Sequence, residues 1–136
     1  MKLIKYADPA EYPGIIDSTV IIDHFRNYKK ASDWILELPE NHKIISLVTY
    51  AELIEGCDDR TSQQKVSVFF NGFKKLPINE VISESAIDWF EKMKLSHNTS
   101  FMDCLIGATA YAFKLPLYTH NIKHFKPMPI TVIIPY

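Results

Sequence analysis

Residues 14–25 read GIIDSTVIIDHF, a short apolar run that ends in an acid and is followed at once by a helical pattern. Further apolar runs of strand length occupy 44–46, 76–78, 117–119 and 130–134, and helical patterns with apolar faces lie between them. Short apolar strands that alternate with helices are typical of βαβ units, which form a parallel sheet with helices on both faces. The sequence therefore predicts an α/β fold with a short parallel sheet of four to five strands.

The length and composition are those of one globular domain. The 136 residues are 47% hydrophobic and 23% charged, which excludes disordered and fibrous proteins. No apolar run approaches the roughly 18 residues of a membrane span, and residues 1–14 lack the apolar core of a signal peptide. We therefore expect a cytoplasmic protein with no membrane partner. Residues 1–14 show no clear pattern and are expected to form a flexible N-terminal arm in front of a domain at 15–136.

The net charge of −1 argues against a protein that grips nucleic acid by bulk positive charge. Residues 1–68 contain 8 basic and 11 acidic residues, whereas residues 69–136 contain 7 basic and 5 acidic residues. The second half of the chain therefore permits a local positive surface. Cys57 and Cys104 lie beside apolar residues and form no CxxC pattern, so we expect buried free thiols.

Three acids and one amide follow the predicted strands. Asp17 ends the first strand, and Glu52 follows the second by six residues, in the first turn of the next helix. Asp103 lies in the first turn of a later helix, and Asn121 follows a late strand. In an open parallel sheet, the carboxyl ends of the strands lie along one edge, where ligands bind. We expect these four side chains to converge at that edge.

Helix capping is a competing explanation for each acid taken alone. Thr49–Glu52 and Ser100–Asp103 both match the capping-box pattern, and Asp17 is a suitable N-cap. Capping does not explain convergence, because neighbouring carboxylates repel one another unless a cation intervenes. No Lys, Arg or His lies within four residues of any of the three acids. Oxygen ligands favour a hard divalent cation, so the pattern predicts a Mg²⁺ or Mn²⁺ site formed by Asp17, Glu52 and Asp103.

The motifs of other chemistries are absent. The chain has no glycine-rich phosphate loop, no GxSxG elbow and no histidine or cysteine spacing of a zinc site. His120 and His124 lie four residues apart without a third nitrogen or sulfur ligand nearby. We interpret them as exposed turn residues or, at most, phosphate contacts.

Four segments, in this order, resemble the motifs of PIN-domain nucleases. They are Ile16–Asp23, Ser46–Gly56, Phe101–Ala110 and Leu117–Phe125. The chain length and the motif order are similar to those of the VapC-type toxins of toxin–antitoxin pairs. Each motif alone is a weak signal, but four in order at the family's spacing are specific.

The resemblance implies a single PIN-like domain that acts as a Mg²⁺- or Mn²⁺-dependent endoribonuclease, the toxin of a type II pair. It implies Asp17, Glu52 and Asp103 as the acidic metal-site residues, a homodimer, and a cognate antitoxin protein that blocks the site. In the mechanism that we expect, metal-activated water hydrolyses the RNA phosphodiester bond. The residues expected to hold water molecules or phosphate oxygens are Thr19, Thr119 and Asn121. Scattered bases expected to contact RNA are Arg26, Lys29, Lys30, Lys123 and Lys126.

Other interpretations remain open at this point. Asn121 stands where many family members have a fourth carboxylate, which favours a PIN-like RNA- or protein-binding module with weak or no catalysis. A phospho-acceptor receiver domain has a second acid beside the strand-end Asp and a Lys after the last strand, and neither is evident. Asp23 matches a recurrent acid of the family, but an ordinary charge on a solvated helix face explains it equally well.

Overall fold

The computed structural model describes residues 1–136 as a six-stranded parallel sheet with strand order β1-β6-β5-β2-β3-β4. The strands are β1 (Lys2–Lys5), β2 (Ile15–Ile16), β3 (Ile44–Ser46), β4 (Lys74–Leu76), β5 (Leu117–Tyr118) and β6 (Thr131–Ile134). The helices are α1 (Ser18–Phe25), α2 (Lys29–Leu36), α3 (Leu47–Glu55), α4 (Arg60–Phe69), α5 (Glu80–His97), α6 (Phe101–Phe113) and α7 (Ile122–Phe125). None of these helices is both long and apolar enough to span a bilayer.

Helices cover both faces of the sheet, as the alternation of apolar runs and helical patterns predicts. Successive residues of a strand point to opposite faces, so each two-residue strand supplies one side chain to each of two cores. On one face, Ile15 and Leu117 pack with residues of α5 and α6. On the other, Ile16 and Tyr118 pack with residues of α1, α2 and α4. The central strands are thus buried on both sides and need no polar residue.

The sheet has one strand more than the four to five predicted. β1 lies in the segment 1–14, expected to be a flexible arm, and pairs with β6 from Lys2 opposite Thr131 to Lys5 opposite Ile134. Only Ile4 of this strand is partly buried, because an edge strand has one neighbour and faces solvent. An edge strand so exposed carries almost no hydrophobic pattern, so its pairing with β6 was not predicted. The segment expected to be an arm contributes the edge of the sheet.

The fourth strand also begins earlier than its pattern indicates. An apolar stripe predicts a helix over 62–74, followed by an extended piece at 76–78; its residues are Val66, Phe69, Phe70 and Phe73. In the structure α4 ends at Phe69, and a 3₁₀ turn occupies Phe70–Gly72. Lys74 then enters the sheet, where its N–H donates to the carbonyl of Lys43 at 2.8 Å. The stripe does not end with the helix because Phe70 and Phe73 are buried in the same core from the turn.

The strand order determines where a ligand can bind. From β2 the chain moves outward through β3 to β4, then returns to the other side of β2 as β5 and moves outward to β6. The order therefore reverses between β2 and β5, and ligands of such sheets bind beyond the carboxyl ends of the strands at this point. Asp17 follows β2 directly and so lies at the reversal.

Gly14, just before β2, lies very close to the backbone of Pro116, just before β5, and is therefore a position at which to test the fold. A Cβ on Gly14 would lie 2.7 Å from the carbonyl oxygen of Pro116 and 2.9 Å from Cε2 of Tyr118. We expect Gly14→Ala to lower the free energy of unfolding by about 1–3 kcal/mol, since β2 and β5 must separate. Urea denaturation measures the change.

Gly56→Ala is the matched control for this substitution. A Cβ on Gly56 meets its nearest neighbours at an ordinary 3.7 Å, and the residue has a right-handed helical backbone. We expect this variant to match the parent or to exceed it by about 0.4–1 kcal/mol. Equal stability of the two alanine variants would contradict the steric explanation.

Candidate active site

Asp17 is a buried carboxylate that does not cap its helix. It occupies the N-cap position of α1 but makes no side-chain capping hydrogen bond, and only 2% of its surface is exposed. Its Oδ2 instead accepts hydrogen bonds from the hydroxyl groups of Thr119 at 2.7 Å and Thr19 at 3.2 Å. Burial raises the pKa of Asp17, and the Thr119 hydrogen bond opposes that rise. The capping explanation does not account for this side chain.

The geometry around Thr119 determines which way its hydroxyl points. The backbone N–H of Asn121 donates to Oγ1 of Thr119 at 2.9 Å. A hydroxyl has one proton, and the carboxylate of Asp17 can only accept, so Thr119 donates to Asp17 while it accepts from Asn121. The Thr19 hydroxyl lies 3.3 Å from that of Thr119. Thr19 follows β2 and Thr119 follows β5, so hydroxyl groups from two paired strands hold the same oxygen of Asp17.

Glu52 lies one turn deeper in its helix than the capping-box pattern indicates. α3 begins at Leu47, and its N-cap is Ser46, whose hydroxyl accepts from the N–H of Val48 at 3.1 Å. The prediction that Glu52 lies in the first turn, capped by Thr49, is wrong, because β3 and α3 follow each other without a loop. Oε1 of Glu52 is buried and has no hydrogen-bond partner. Its carboxylate is therefore available to a ligand.

Asp103 fulfils half of the capping-box pattern. Ser100 is the N-cap of α6, and its hydroxyl accepts from the N–H of Asp103 at 3.1 Å. The carboxylate of Asp103 does not return this bond but lies 2.8 Å from Nδ1 of His124. The capping pattern thus explains the serine but not the acid.

His124 is the site residue that sequence reasoning missed. We expected an exposed turn residue or a phosphate contact, whereas α7 brings its ring to Asp103, 21 residues earlier in the chain. Because a carboxylate only accepts, Nδ1 of His124 carries the proton. The side-chain nitrogen Nδ2 of Asn121 also lies 2.8 Å from Nδ1 of His124. The only sequence signal was that His124 follows Asn121 by one helical turn.

Asp23 and the two cysteines lie outside this group of acids. Oδ2 of Asp23 accepts a hydrogen bond from the hydroxyl of Tyr136 at 2.7 Å, so it is not a free charge on a solvated face. Cys104 is buried and Cys57 is partly buried, and both are free thiols, as the sequence indicates.

The three acids from β2, α3 and α6 influence one another electrostatically. The pKa of Glu52 is raised to about 7, first by burial, then by the charges of Asp17 and Asp103, and last by that of Glu55. The charge of Asp103 also raises the pKa of Asp17. The structure therefore places the three predicted acids at one sheet edge, as neighbours that repel.

The three carboxylates are not already arranged as a metal site. No group of three His, Cys, Asp or Glu side chains has the geometry to hold an ion. The Asp103 carboxylate bonds to Nδ1 of His124. The residues nevertheless fit a hard divalent cation, because all donors are oxygens and Oε1 of Glu52 lacks a partner.

Comparisons with known proteins identify the family. The PIN domain family model matches residues 15–127. The chain is 37% identical over 114 residues to Ribonuclease VapC10 of Mycobacterium tuberculosis, covering 82% of this chain and 84% of that protein. It is 29% identical over 127 residues to Ribonuclease VapC1 of Methanocaldococcus jannaschii, covering 92% and 88%.

Solved structures agree with this assignment. A toxin–antitoxin complex from Klebsiella pneumoniae contains a chain with a TM-score of 0.74 and 26% identity, covering 90% of this chain and 98% of that one. VapBC-1 from nontypeable Haemophilus influenzae shares the fold with a TM-score of 0.73 at 23% identity, covering 97% and 98%. The chain belongs to the PIN domain family.

The burial of Glu52, together with repulsion from Asp17 and Asp103, predicts a pH-dependent stability in metal-free buffer. A carboxyl whose pKa is raised on folding stabilises the fold fully below its ordinary pKa of 4.5, and this contribution is lost as pH rises through about 7. We expect Glu52→Gln to be more stable than the parent by about 2 kcal/mol near pH 8 and no more stable near pH 4, as urea denaturation in EDTA would show.

Glu84→Gln, on α5, is the control, because it removes the same charge from an exposed position that does not act on Glu52. We expect it to follow the parent at both pH values. A Glu52→Gln variant that also follows the parent at the higher pH would show that folding does not raise the pKa of Glu52.

Proposed function

We propose that this chain is an endoribonuclease that hydrolyses RNA phosphodiester bonds with metal-activated water, and that it is the toxin of a type II toxin–antitoxin pair. One observation carries the proposal: three carboxylates crowd the carboxyl edge of the sheet with no basic side chain among them except His124, and Oε1 of Glu52 lacks any partner. The ribonuclease names of the relatives and the toxin–antitoxin title of the Klebsiella pneumoniae neighbour support it.

Asp17, Asp103 and Glu52 would hold the metal ion, Mg²⁺ or Mn²⁺. When bound, such an ion supplies an acidified water as nucleophile and offsets negative charge on the phosphate. Asp17 is held ready for this role, since the Thr119 and Thr19 hydroxyls orient its Oδ2. Oε1 of Glu52 is free to accept a bond from a water molecule or to bind the ion directly.

Thr19 and Thr119 were expected to hold water molecules or phosphate oxygens, but their hydroxyl groups have other partners. Both hydroxyls are engaged with Asp17, and that of Thr119 also accepts from the N–H of Asn121. We propose that they position Asp17 rather than contact phosphate. The Asn121 side chain pairs with His124 and so helps to orient the ring that holds Asp103.

The remaining features of the proposal concern assembly. An antitoxin protein would suppress the enzyme by covering the acidic edge. A homodimer would place the basic residues of two copies beside each other and so compensate for the net charge of −1 of one chain. An RNA substrate places the protein in the cytoplasm.

A second candidate function is an RNA- or protein-binding module with little or no turnover. The observation that favours it is the pairing of Asp103 with His124 beside Asn121, an amide where many PIN domains have an acid. Measurements of RNA cleavage, described next, decide between the ribonuclease and the binding module.

Substitution of Asp17 or Asp103 tests the enzyme directly. We expect Asp17→Asn and Asp103→Asn each to reduce Mg²⁺-dependent cleavage of total RNA by about 100-fold or more, because each loses a ligand charge. Chelation of the metal with EDTA should have the same effect on the parent. Circular dichroism and thermal melting verify that both variants fold.

Asp88→Asn is the charge-matched control, since Asp88 lies on α5 in an exposed ion pair with Lys92. Cleavage by Asp17→Asn at the rate of this control, or cleavage that survives EDTA, would contradict the metal-dependent mechanism.

Thr119 offers a test of positioning. Thr119→Val removes the 2.7 Å hydrogen bond to Asp17, whereas Thr119→Ser keeps the hydroxyl. We expect the valine variant to need about 10–100-fold more Mg²⁺ for half-maximal thermal stabilisation, because outer groups that orient ligands affect metal affinity by this factor. If valine and serine variants titrate alike, Thr119 does not orient Asp17.

A further inference from the structure

A cavity of about 420 Å³ opens directly beside Glu52. It lies where α3 packs between α1 and α4, on the face of the sheet opposite α5 and α6. This volume falls in the range of roughly 300–1,000 Å³ that small-molecule sites occupy. Because Glu52 belongs to both, the cavity continues the acidic edge rather than forming a separate site.

The cavity wall combines an aromatic ring, two cations and an apolar base. Phe25 ends α1 and is 37% exposed, with its ring held edge-on by Phe69 at a centroid distance of 5.1 Å. Arg26 follows it directly, and Lys65 lines the cavity from α4. Leu53 supplies apolar surface from α3.

Both cations are available to a ligand. The ion pairs of the structure involve other residues, so neither Arg26 nor Lys65 is bound to a carboxylate. The charge of Lys65 acts on Asp59, whose carboxylate already accepts a hydrogen bond from the N–H of Ser62 at the start of α4. Two free positive charges thus border a cluster of three negative ones.

We propose that this cavity is a subsite for one nucleotide of single-stranded RNA next to the scissile phosphate. The base stacks on Phe25 and contacts Leu53, and Arg26 and Lys65 bind the phosphate on that side. The subsite rests on the proposed ribonuclease function and names the strand segment that the enzyme binds.

Electrostatics explains why the subsite must lie there. Three carboxylates repel an RNA strand, and the chain has no overall positive charge to offset them. Cations placed beside the acids draw in the flanking phosphates, while a fixed aromatic ring adds stacking that any base can use. A peptide ligand would need acidic side chains to use the same cations and would leave the ring without a specific function.

The test uses the inactive Asp17→Asn background, so that RNA stays intact, and a fluorescein-labelled single-stranded RNA of mixed sequence in Mg²⁺. Fluorescence anisotropy gives Kd at several salt concentrations. We expect added Arg26→Ala and Lys65→Ala substitutions to raise Kd about 10–100-fold at low salt. The slope of log Kd against log salt should fall by about 1.4, since each phosphate contact to a single strand contributes roughly 0.7.

Phe25→Ala separates stacking from charge. We expect Kd to rise about 5–100-fold with no change in the salt slope, because stacking releases no counterions. Lys92→Ala with Lys94→Ala is the matched control, since it removes two charges from α5 on the opposite face. That control should bind RNA as the background protein does.

The outcomes separate the subsite from the enzyme. RNA binding by the Arg26 and Lys65 double variant that equals the control overturns the subsite, even if the parent cleaves RNA. Loss of antitoxin binding with unchanged RNA binding also overturns it, because the cavity is then a protein docking surface. A parent that binds RNA through these residues but never cleaves it supports the subsite and overturns the proposed ribonuclease.

Discussion

The hydrogen bond from Thr119 to Asp17 joins the two strands between which the chain order reverses. A carboxylate that is almost fully buried has lost most of its hydration. Two hydroxyl donors on Oδ2 compensate only in part, so burial still raises its pKa. The position is therefore intrinsically destabilising. It is tolerated because β2 is the central strand and the side chains on both its faces are held by packed cores.

The neighbouring acids Glu52 and Asp103 are also unfavourably placed for a negative charge. The pKa of Glu52 is raised to about 7, and its Oε1 has no hydrogen-bond partner. The carboxylate of Asp103 bonds to Nδ1 of His124. A divalent cation would satisfy all three, which is the physical reason for assigning a metal-dependent reaction to this edge. Nδ1 of His124 lies 2.8 Å from the Asp103 carboxylate and holds it in place.

Several parts of this arrangement were accessible from sequence. The strands at Ile15–Ile16 and Leu117–Tyr118 and the helices on both sheet faces follow from local apolar runs and their spacing. The same is true of Asp17 after the first of these strands and of Asp103 in the first turn of α6. β1 was not accessible, because an edge strand with one partly buried residue has no periodic signal. The position of Glu52 in α3 was off by one turn, since Ser46 and Thr49 are both suitable caps and only the absence of a loop after β3 selects the serine.

The order of apolar runs and the types of residue after them already specified a parallel α/β domain with an oxygen-rich edge, because strand burial and helix entry are local properties. Three features could be seen only in the tertiary structure. Two are the pair of hydroxyl groups on Asp17 and the ring of His124 at Asp103. The third is the cavity that places Phe25 and Arg26 beside Glu52. Each joins segments that are far apart in sequence or on different helices. No local pattern encodes which distant side chains will face one another, since that depends on strand order and on how the helices pack.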